Sequence, residues 1–487
     1  MCLTLEDTTI GIQVLLDLKR DLCAMTGVPV IQPLTEKHYR AEQRIRKLAA
    51  VYGKKNVKPG FRHFYRKYSS TWGLLTRMIL RGRNAGATNS VRFGHFEIME
   101  GSVGAGKEEM LTRLKKVFLD SETRFPWLLR NGALSEDFRM RKVRFDQTEI
   151  IHLCGMQSNQ TQNGNVSEIP MIILSDCGDE AHEQENRIVM REVAKRPFVL
   201  FLKSYKYNSR KVTLGHIICN HEFMDGLPAA YYLSLWMRSM GLKQVHAGTF
   251  SEEFLKRVLN EADRRECIPG KTEFCPRTCL AGEVWTQNFL RFHHQVNVLL
   301  GREGLHVGTE VFAHLFFLSC FISQSNIRGS VLKFSPYADE QLGFYEAGDV
   351  ISLFNALVFN PEQLKQNHPE NTVKNKTIGL FRKGSNVVSE CIEPLAARLP
   401  VWLTALLNRY AEWTGASRAM IGQIVVTGIP SEIVINGNAI NAGLGYGGPA
   451  CSDIQDAALT FGFVRDETGA VVNTVIRTKF RKLQSSG

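Results

Sequence analysis

Three residues near the middle of the chain, His221, Asp225 and Gly226, have types and spacing that could support proton transfer. They lie between an apolar run, Val212 to Cys219, and a long segment rich in apolar residues. A histidine titrates near neutral pH, so it can take a proton from a hydroxyl or amine that attacks a carbonyl, provided that its ring is held in place. The Asp225 carboxylate can accept hydrogen bonds from the open amides of a following helix, so its role would be structural support.

The elements on either side of this turn would hold His221 in position. Val212 to Cys219 is apolar and rich in β-branched residues, which predicts an interior strand. The segment after Gly226 carries apolar residues at nearly every helical position, which predicts a buried helix. A short turn between a buried strand and a buried helix leaves the histidine little freedom. A core histidine followed by an ordinary Asp cap is the plainer alternative, and these two residue types alone do not exclude it.

In this context the segment from His221 to Gly226, HEFMDG, resembles the HxxxDG signature of the chloramphenicol acetyltransferase-like superfamily. That superfamily includes BAHD acyltransferases, condensation domains of nonribosomal peptide synthetases, carnitine acyltransferases and fungal acetyltransferases. Many members carry a second histidine just before the catalytic one, and this chain has Asn220 there. The resemblance implies an acyltransferase in which His221 is the general base and Asp225 supports the loop.

A second resemblance lies near the C-terminus, where Gly443 to Pro449, GLGYGGP, is similar to the DFGWGKP motif of BAHD enzymes. Gly443 replaces the Asp of that motif, which puts the structural salt link of the family in doubt. Upstream, the strand-like IVVTGIP segment carries Thr427, the candidate donor of a hydrogen bond to the oxyanion of the tetrahedral intermediate. The residues that the resemblance implies around the substrate tunnel are Asn220, Gly226, Gly445, Tyr446 and Gly447.

The alternation of helices and strands in both halves predicts two α/β sandwich lobes, and the resemblance implies that they form a pseudo-dimer with the site between them. The predicted organisation is a helical N-terminal extension over residues 1–88, an N-terminal lobe over 89–245, a crossover over 246–303 and a C-terminal lobe over 304–487. A relative that keeps the fold, binds a metabolite or protein and has no catalytic activity is the first alternative function, and Gly443 favours it.

Composition narrows the partners without identifying them. The chain has 44% apolar and 22% charged residues, no signal peptide and no apolar run of the ~20 residues that cross a bilayer, so we expect a cytoplasmic protein. Its formal charge of +12 predicts an anionic partner: the phosphates of acyl-coenzyme A or the acidic surface of an acyl carrier protein. We expect a thioester donor, a small-molecule acceptor, no covalently bound cofactor, no nucleic acid and a monomer, and we leave peripheral membrane contact open.

A P-loop ATPase is the second alternative. Residues 101–107, GSVGAGK, fit the G-x-x-x-x-G-K part of a phosphate-binding loop, and residues 179–182 spell DEAH. Glu108, however, stands where a Ser or Thr hydroxyl should hold magnesium, and it brings negative charge toward the phosphates. We therefore rank the ATPase below the acyltransferase.

The cysteines predict no metal site. The chain has eleven cysteines in no dense pattern, which favours reduced thiols. Cys267, Cys275 and Cys279 lie close together in a predicted loop, but no fourth ligand stands at a spacing usual for zinc. We therefore predict free thiols there.

Overall fold

A computed structural model gives the fold of the 487-residue chain. It describes residues 5–27, 31, 33–52, 92–101, 109, 112–113, 139–145, 148–154, 171–175, 198–220, 233–234, 236–266, 276–322, 327–335, 338–360, 410–411, 413–429, 432–435, 438–441 and 456–480. These residues form a mixed α/β protein with two large sheets, which confirms the α/β class predicted from the sequence. The pseudo-dimeric relation of two lobes stays a prediction.

The first sheet has seven strands in the order β2-β3-β4-β5-β6-β1-β7. Only β4 and β5 run parallel to each other. The strands are β1 (Arg92–Glu100), β2 (Arg139–Phe145), β3 (Thr148–Cys154), β4 (Met171–Ser175), β5 (Phe198–Tyr207), β6 (Arg210–Asn220) and β7 (Lys243–Gln244). The β5–β6 hairpin turns at Asn208 and Ser209, which both have positive φ angles, as a two-residue hairpin turn requires. Because β5 and β1 lie on either side of it, β6 is an interior strand, as its sequence predicted.

The second sheet has six strands in the order β10-β9-β11-β14-β15-β8, and β11 runs parallel to both of its neighbours. The strands are β8 (Arg277–Leu280), β9 (Arg328–Ser335), β10 (Ala338–Glu346), β11 (Ile424–Ile429), β14 (Ala457–Arg465) and β15 (Val471–Phe480). A separate hairpin joins β12 (Glu432–Ile435) to β13 (Asn438–Asn441). All six residues of β11 are buried, as expected of a central parallel strand.

The helices in the described part of the chain pack mainly around the second sheet. They are α1 (Leu5–Thr26), α2 (Glu36–Tyr52), α3 (Glu252–Glu266), α4 (Glu283–Arg302), α5 (Thr309–Phe321), α6 (Ala347–Phe359) and α7 (Ala416–Ile421). α5 is buried on nearly every side, because its sequence is apolar all round. None of the helices in the described ranges combines the length and the apolarity needed to cross a bilayer.

Two of the predicted segments contain elements that pack with the second sheet. Leu15, Leu18 and Leu22 of α1 recur at helical spacing and enter the core around α4 and α5. The division of the chain that places residues 1–88 in a helical extension stays a prediction. The crossover predicted over 246–303 likewise includes β8 and α4, which belong to the second sheet and its cover. The predicted cysteine-bearing loop ends before β8, because Cys279 lies within that strand.

Candidate functional site

The strand that leads to His221 is paired on both sides over residues 212–219. β6 pairs with β5 on one side and β1 on the other, and its last residue, Asn220, is opposite Arg92 at the beginning of β1. On the other side, Cys219 is opposite Phe198 at the beginning of β5. His221, Asp225 and Gly226 lie outside the described residues. The strand that precedes His221 in sequence therefore ends between two neighbouring strands, in the interior of the sheet.

The chain returns to the same sheet after this turn. Residues 233, 234 and 236–239 are helical, and the Leu233 and Met237 side chains pack directly over Gly215 in β6. A Cβ atom at Gly215 would clash with the sulfur of Met237 and would lie 2.9 Å from Leu233 Cδ1. Glycine is thus required here by the close approach of the helical turn. The described helical residues that follow the HEFMDG segment in sequence therefore contact the same strand that precedes it.

A buried carboxyl group joins this helical turn to the sheet. The Ser234 hydroxyl donates a 2.5 Å hydrogen bond to Glu97 Oε2, and Glu97, opposite Gly215 in β1, is only 2% exposed. Burial raises the pKa of Glu97 to about 8, although the Ser234 hydroxyl and the charge of Arg238 act in the opposite direction. Glu97 is consequently protonated at neutral pH, because its ionised form would be poorly solvated.

Thr427, the oxyanion candidate, lies on β11 of the second sheet and is 2% exposed. The strand is anchored at the next residue, where the Gly428 amide donates a 2.9 Å hydrogen bond to His314 Nε2. His314 Nδ1 lies 2.5 Å from the Glu310 carbonyl oxygen, which can accept a hydrogen bond from the Nδ1 proton. The neutral tautomer with the proton on Nδ1 satisfies both contacts. α5 thus fixes the strand beside Thr427 through a side-chain contact that no sequence motif revealed.

Helix α3 connects the two sheets through two buried carboxylates. Glu261 Oε2 lies 3.2 Å from Lys203 Nζ and accepts a 2.5 Å hydrogen bond from Tyr205, both in the first sheet. Asp263 accepts hydrogen bonds from the amide and hydroxyl of Thr278 in the second sheet, at 2.6 and 2.8 Å. An apolar cluster that includes residues of α3 and of both sheets surrounds these contacts. Because buried charges tolerate little displacement from their partners, α3 fixes the relation of the sheets.

The GLGYGGP segment, which is similar to the DFGWGKP motif, lies outside the described residues. The role of Gly445, Tyr446 and Gly447 at a tunnel therefore stays a prediction. Thr427 and Asn220 are therefore the only two of the predicted site residues that fall in the described part of the chain.

The strand arrangement counts against the ATPase alternative. β1, which leads to Gly101, and β4, which precedes Asp176, are separated in the sheet by β5 and β6. Three strand intervals of about 4.8 Å place them ~14 Å apart, too far for the strand ends themselves to serve one magnesium ion. Residues 102–108 and 176–182, which carry the two ATPase-like motifs, lie outside the described ranges.

The described cysteine of the predicted loop, Cys279, is a partly buried thiol in a strand. The Cys279 thiol donates a 3.5 Å hydrogen bond to the Ile476 carbonyl, and burial raises its pKa to about 11. Such a thiol is a poor metal ligand, because the thiolate form is disfavoured. Across the described residues no cluster of three His, Cys, Asp or Glu side chains could hold a metal ion.

Sequence reasoning missed the buried polar side chains that support these elements. Glu97, Lys203 and His314 interrupt largely apolar segments, whereas Glu261 lies in a largely polar stretch of α3. The partners of all four lie between 56 and 137 positions away in the sequence. A charged residue inside an apolar strand, such as Lys203 in FVLFLKSY, is the one signal available, because such a residue is rarely buried without a partner.

No model of a known protein family and no curated protein sequence matches this chain. Solved structures do match along its length. A mutant of the starter condensation domain of the rhizomide synthetase has 8% identity and a TM-score of 0.36, with 85% of this chain and 90% of that chain covered. The epimerization domain from the third module of tyrocidine synthetase B has 11% identity and a TM-score of 0.37, with 84% and 90% covered. A wax ester synthase/diacylglycerol acyltransferase from Marinobacter aquaeolei VT8 has 10% identity and a TM-score of 0.32, with 84% and 92% covered. These are proteins of the superfamily that the HEFMDG segment resembles.

Proposed function

We propose that this protein is an acyltransferase that moves an acyl group from a thioester to a hydroxyl or amine, with His221 as general base. The observation that carries the proposal is the support of the HEFMDG turn. It follows an interior strand of the first sheet, and the helical turn that comes after it packs over Gly215 of that same strand. General base catalysis needs an imidazole held within hydrogen-bond reach of the attacking group. The packing of the described segments on both sides of HEFMDG supports the proposal that His221 is held in this way.

The reaction proceeds in two steps. His221 takes the proton of the acceptor hydroxyl or amine while the acceptor's lone pair forms a bond to the thioester carbonyl carbon. The carbonyl oxygen then carries the negative charge and requires a hydrogen-bond donor, for which Thr427 is the candidate. The carbon–sulfur bond breaks as the carbonyl re-forms, and the protonated His221 returns its proton to the departing thiolate.

The donor is either acyl-coenzyme A or an acyl group on a carrier protein. Both carry phosphate groups or acidic surfaces, which the formal charge of +12 would attract. A small molecule provides the acceptor. Gly443 favours one second candidate, a binding protein of the same fold without catalytic activity, because it removes the aspartate of the DFGWGKP-like motif.

Product analysis separates these candidates. The protein is incubated with a panel of acyl-coenzyme A and acyl-pantetheine thioesters and a mixture of small alcohols and amines, and products are identified by mass. We expect new esters or amides that are absent when His221→Ala replaces the parent. Binding of thioesters without any product would favour the binding protein, and nucleotide hydrolysis lost in Lys107→Ala would favour the ATPase.

A further inference from the structure

A row of buried polar side chains crosses the second sheet at the level of Thr427. Thr427 in β11 is opposite Thr460 in β14, Thr460 is opposite Arg477 in β15, and Arg477 is opposite Thr278 in β8. Each of the four residues is at most 8% exposed. Most neighbouring positions in these strands are apolar, so a polar row through the middle of the sheet requires an explanation.

The row lies on the face of the second sheet that is turned toward the first. Side chains alternate along a strand, and Leu459, Phe461 and Phe463 of β14 enter the core around α4 and α5. Thr460 is therefore on the opposite face, together with Val464. Val464 belongs to the apolar cluster that contains residues of α3 and of the first sheet, so this face meets the first sheet at one end.

Two positions in the row differ in the hydrogen-bond partners that the structure gives them. At the β8 end, Asp263 of α3 accepts hydrogen bonds from Thr278, and its Oδ1 lies 3.8 Å from Arg477 Nε. In the part of the chain that the structure describes, Thr460 Oγ1 has no hydrogen-bond partner, although the residue is only 1% exposed. An unpartnered buried hydroxyl destabilises a protein, and such groups are rare unless a ligand uses them.

We propose that Thr460 is a second hydroxyl donor to the oxyanion, acting beside Thr427. This inference rests on the proposed acyl transfer. Neighbouring strands are about 4.8 Å apart, so the hydroxyls of two residues in register can both lie about 2.8 Å from one oxygen between them. As the acceptor attacks, the electron pair of the carbonyl bond moves to that oxygen, and both hydroxyls donate hydrogen bonds to it. The charge returns to the carbonyl bond when the thiolate departs.

Three threonine variants test this role. Thr460→Val removes the hydroxyl and keeps the shape, and Thr460→Ser keeps the hydroxyl. Thr474→Val is the matched control in the same sheet, because Thr474 is fully buried and its hydroxyl is already bonded to Thr286 at 3.0 Å on the opposite face. The measurements are kcat and KM for acetyl- and hexanoyl-coenzyme A and the corresponding pantetheine thioesters, together with Tm.

Thr460→Val should lower kcat by about 10²-fold with little change in KM, since the lost hydrogen bond forms only in the transition state. Its Tm should be unchanged or higher, because no hydrogen bond of the resting protein is lost. Thr460→Ser should restore most of the activity. Thr474→Val should show the reverse pattern, a lower Tm with kcat retained. A purely structural role of Thr460 would not separate kcat from Tm in this way.

The outcomes distinguish this inference from the proposed function. If the parent transfers acyl groups, His221→Ala does not, and Thr460→Val has the parent's kcat, the role of Thr460 is wrong and the acyltransferase stands. If the parent forms no product with any of the thioesters, or if His221→Ala remains active, the proposed reaction is wrong and the role of Thr460 falls with it.

Discussion

The buried carboxyl of Glu97 should make the stability of this protein depend on pH in a specific direction. Burial raises its pKa from the ordinary 4.5 to about 8. The folded protein therefore binds one proton more than the unfolded chain between these two values. Below pH 4.5 Glu97 is protonated in both states, and as pH rises toward 8 folding must take up a proton. The free energy of unfolding should consequently fall across this window.

The size of the effect follows from the two pKa values. Their difference, about 3.5 at about 1.4 kcal/mol per pH unit, corresponds to ~5 kcal/mol of stability present at pH 4.5 and lost by about pH 8. Glu97→Gln cannot ionise and retains an oxygen that can accept the Ser234 hydrogen bond. Its second amide proton adds an offset that does not vary with pH. The difference between parent and variant therefore isolates the titration of Glu97.

Urea unfolding of both proteins at pH 5, 6, 7, 8 and 9 measures this difference. We expect Glu97→Gln to gain on the parent by about 1.4 kcal/mol per pH unit up to about pH 8 and to keep the gain above it. Ser234→Ala removes a contact that favours the ionised form, so it should move the end of this window to a higher pH. Parallel pH profiles for the parent and Glu97→Gln would refute the reasoning.

Three further substitutions test the packing that supports the site. Lys203→Met should destabilise the protein by about 3–5 kcal/mol in denaturant titrations, because it leaves Glu261 buried without its ammonium partner. Adding Glu261→Gln to this variant should recover part of the lost stability. Equal losses in the single and double variants would contradict the pairing. His314→Phe should cost about 1–3 kcal/mol in the same titration because the Gly428 amide loses its acceptor, and an unchanged midpoint would show that this contact does not anchor β11. Gly215→Ala should lower Tm, because its Cβ would clash with Met237 and Leu233. The control is Gly301→Ala in α4, where the Cβ meets nothing within 4 Å, and this variant should stabilise the protein by about 0.5–1 kcal/mol. A Tm that falls equally in both variants would exclude the steric explanation.

Strongly periodic segments of the sequence predicted the elements near the site. The apolar run that ends at Cys219 predicted an interior strand, and the structure extends it to Arg210–Asn220 with paired strands on both sides. The sequence also indicates the hairpin through Asp466 and Gly469 into β15, because turn residues separate two apolar segments there, and the structure pairs β14 with β15. Local patterns were sufficient where each element was long and its boundaries carried turn residues.

Elements with weak local patterns could not be predicted. β8 is four residues long and follows a segment rich in cysteine and proline, so the local sequence predicts a loop there. Its place in the sheet depends on pairing with β15, almost two hundred residues away in the sequence. The helical pattern of α1 was clear, but which half it packs against is decided by the shape of the core around α4 and α5.

The same distinction between local pattern and long-range pairing applies to the candidate site. Residue types, spacing and the family resemblance predict roles for His221, Asp225 and Thr427, and these roles stay predictions. The register of β11 and β14, which brings Thr460 beside Thr427, required the structure, because a parallel pair carries no turn that fixes its register from sequence.

The rate of acyl transfer as a function of pH tests the role of His221 most directly. For the parent we predict that kcat/KM falls as pH decreases through the imidazole titration of the free protein. His221→Ala should lower kcat by about 10²–10⁴-fold and remove that limb, whereas the control His294→Ala, which removes an exposed histidine of α4, should leave both unchanged. A His221→Ala variant that kept the parent's rate and pH limb would contradict the account.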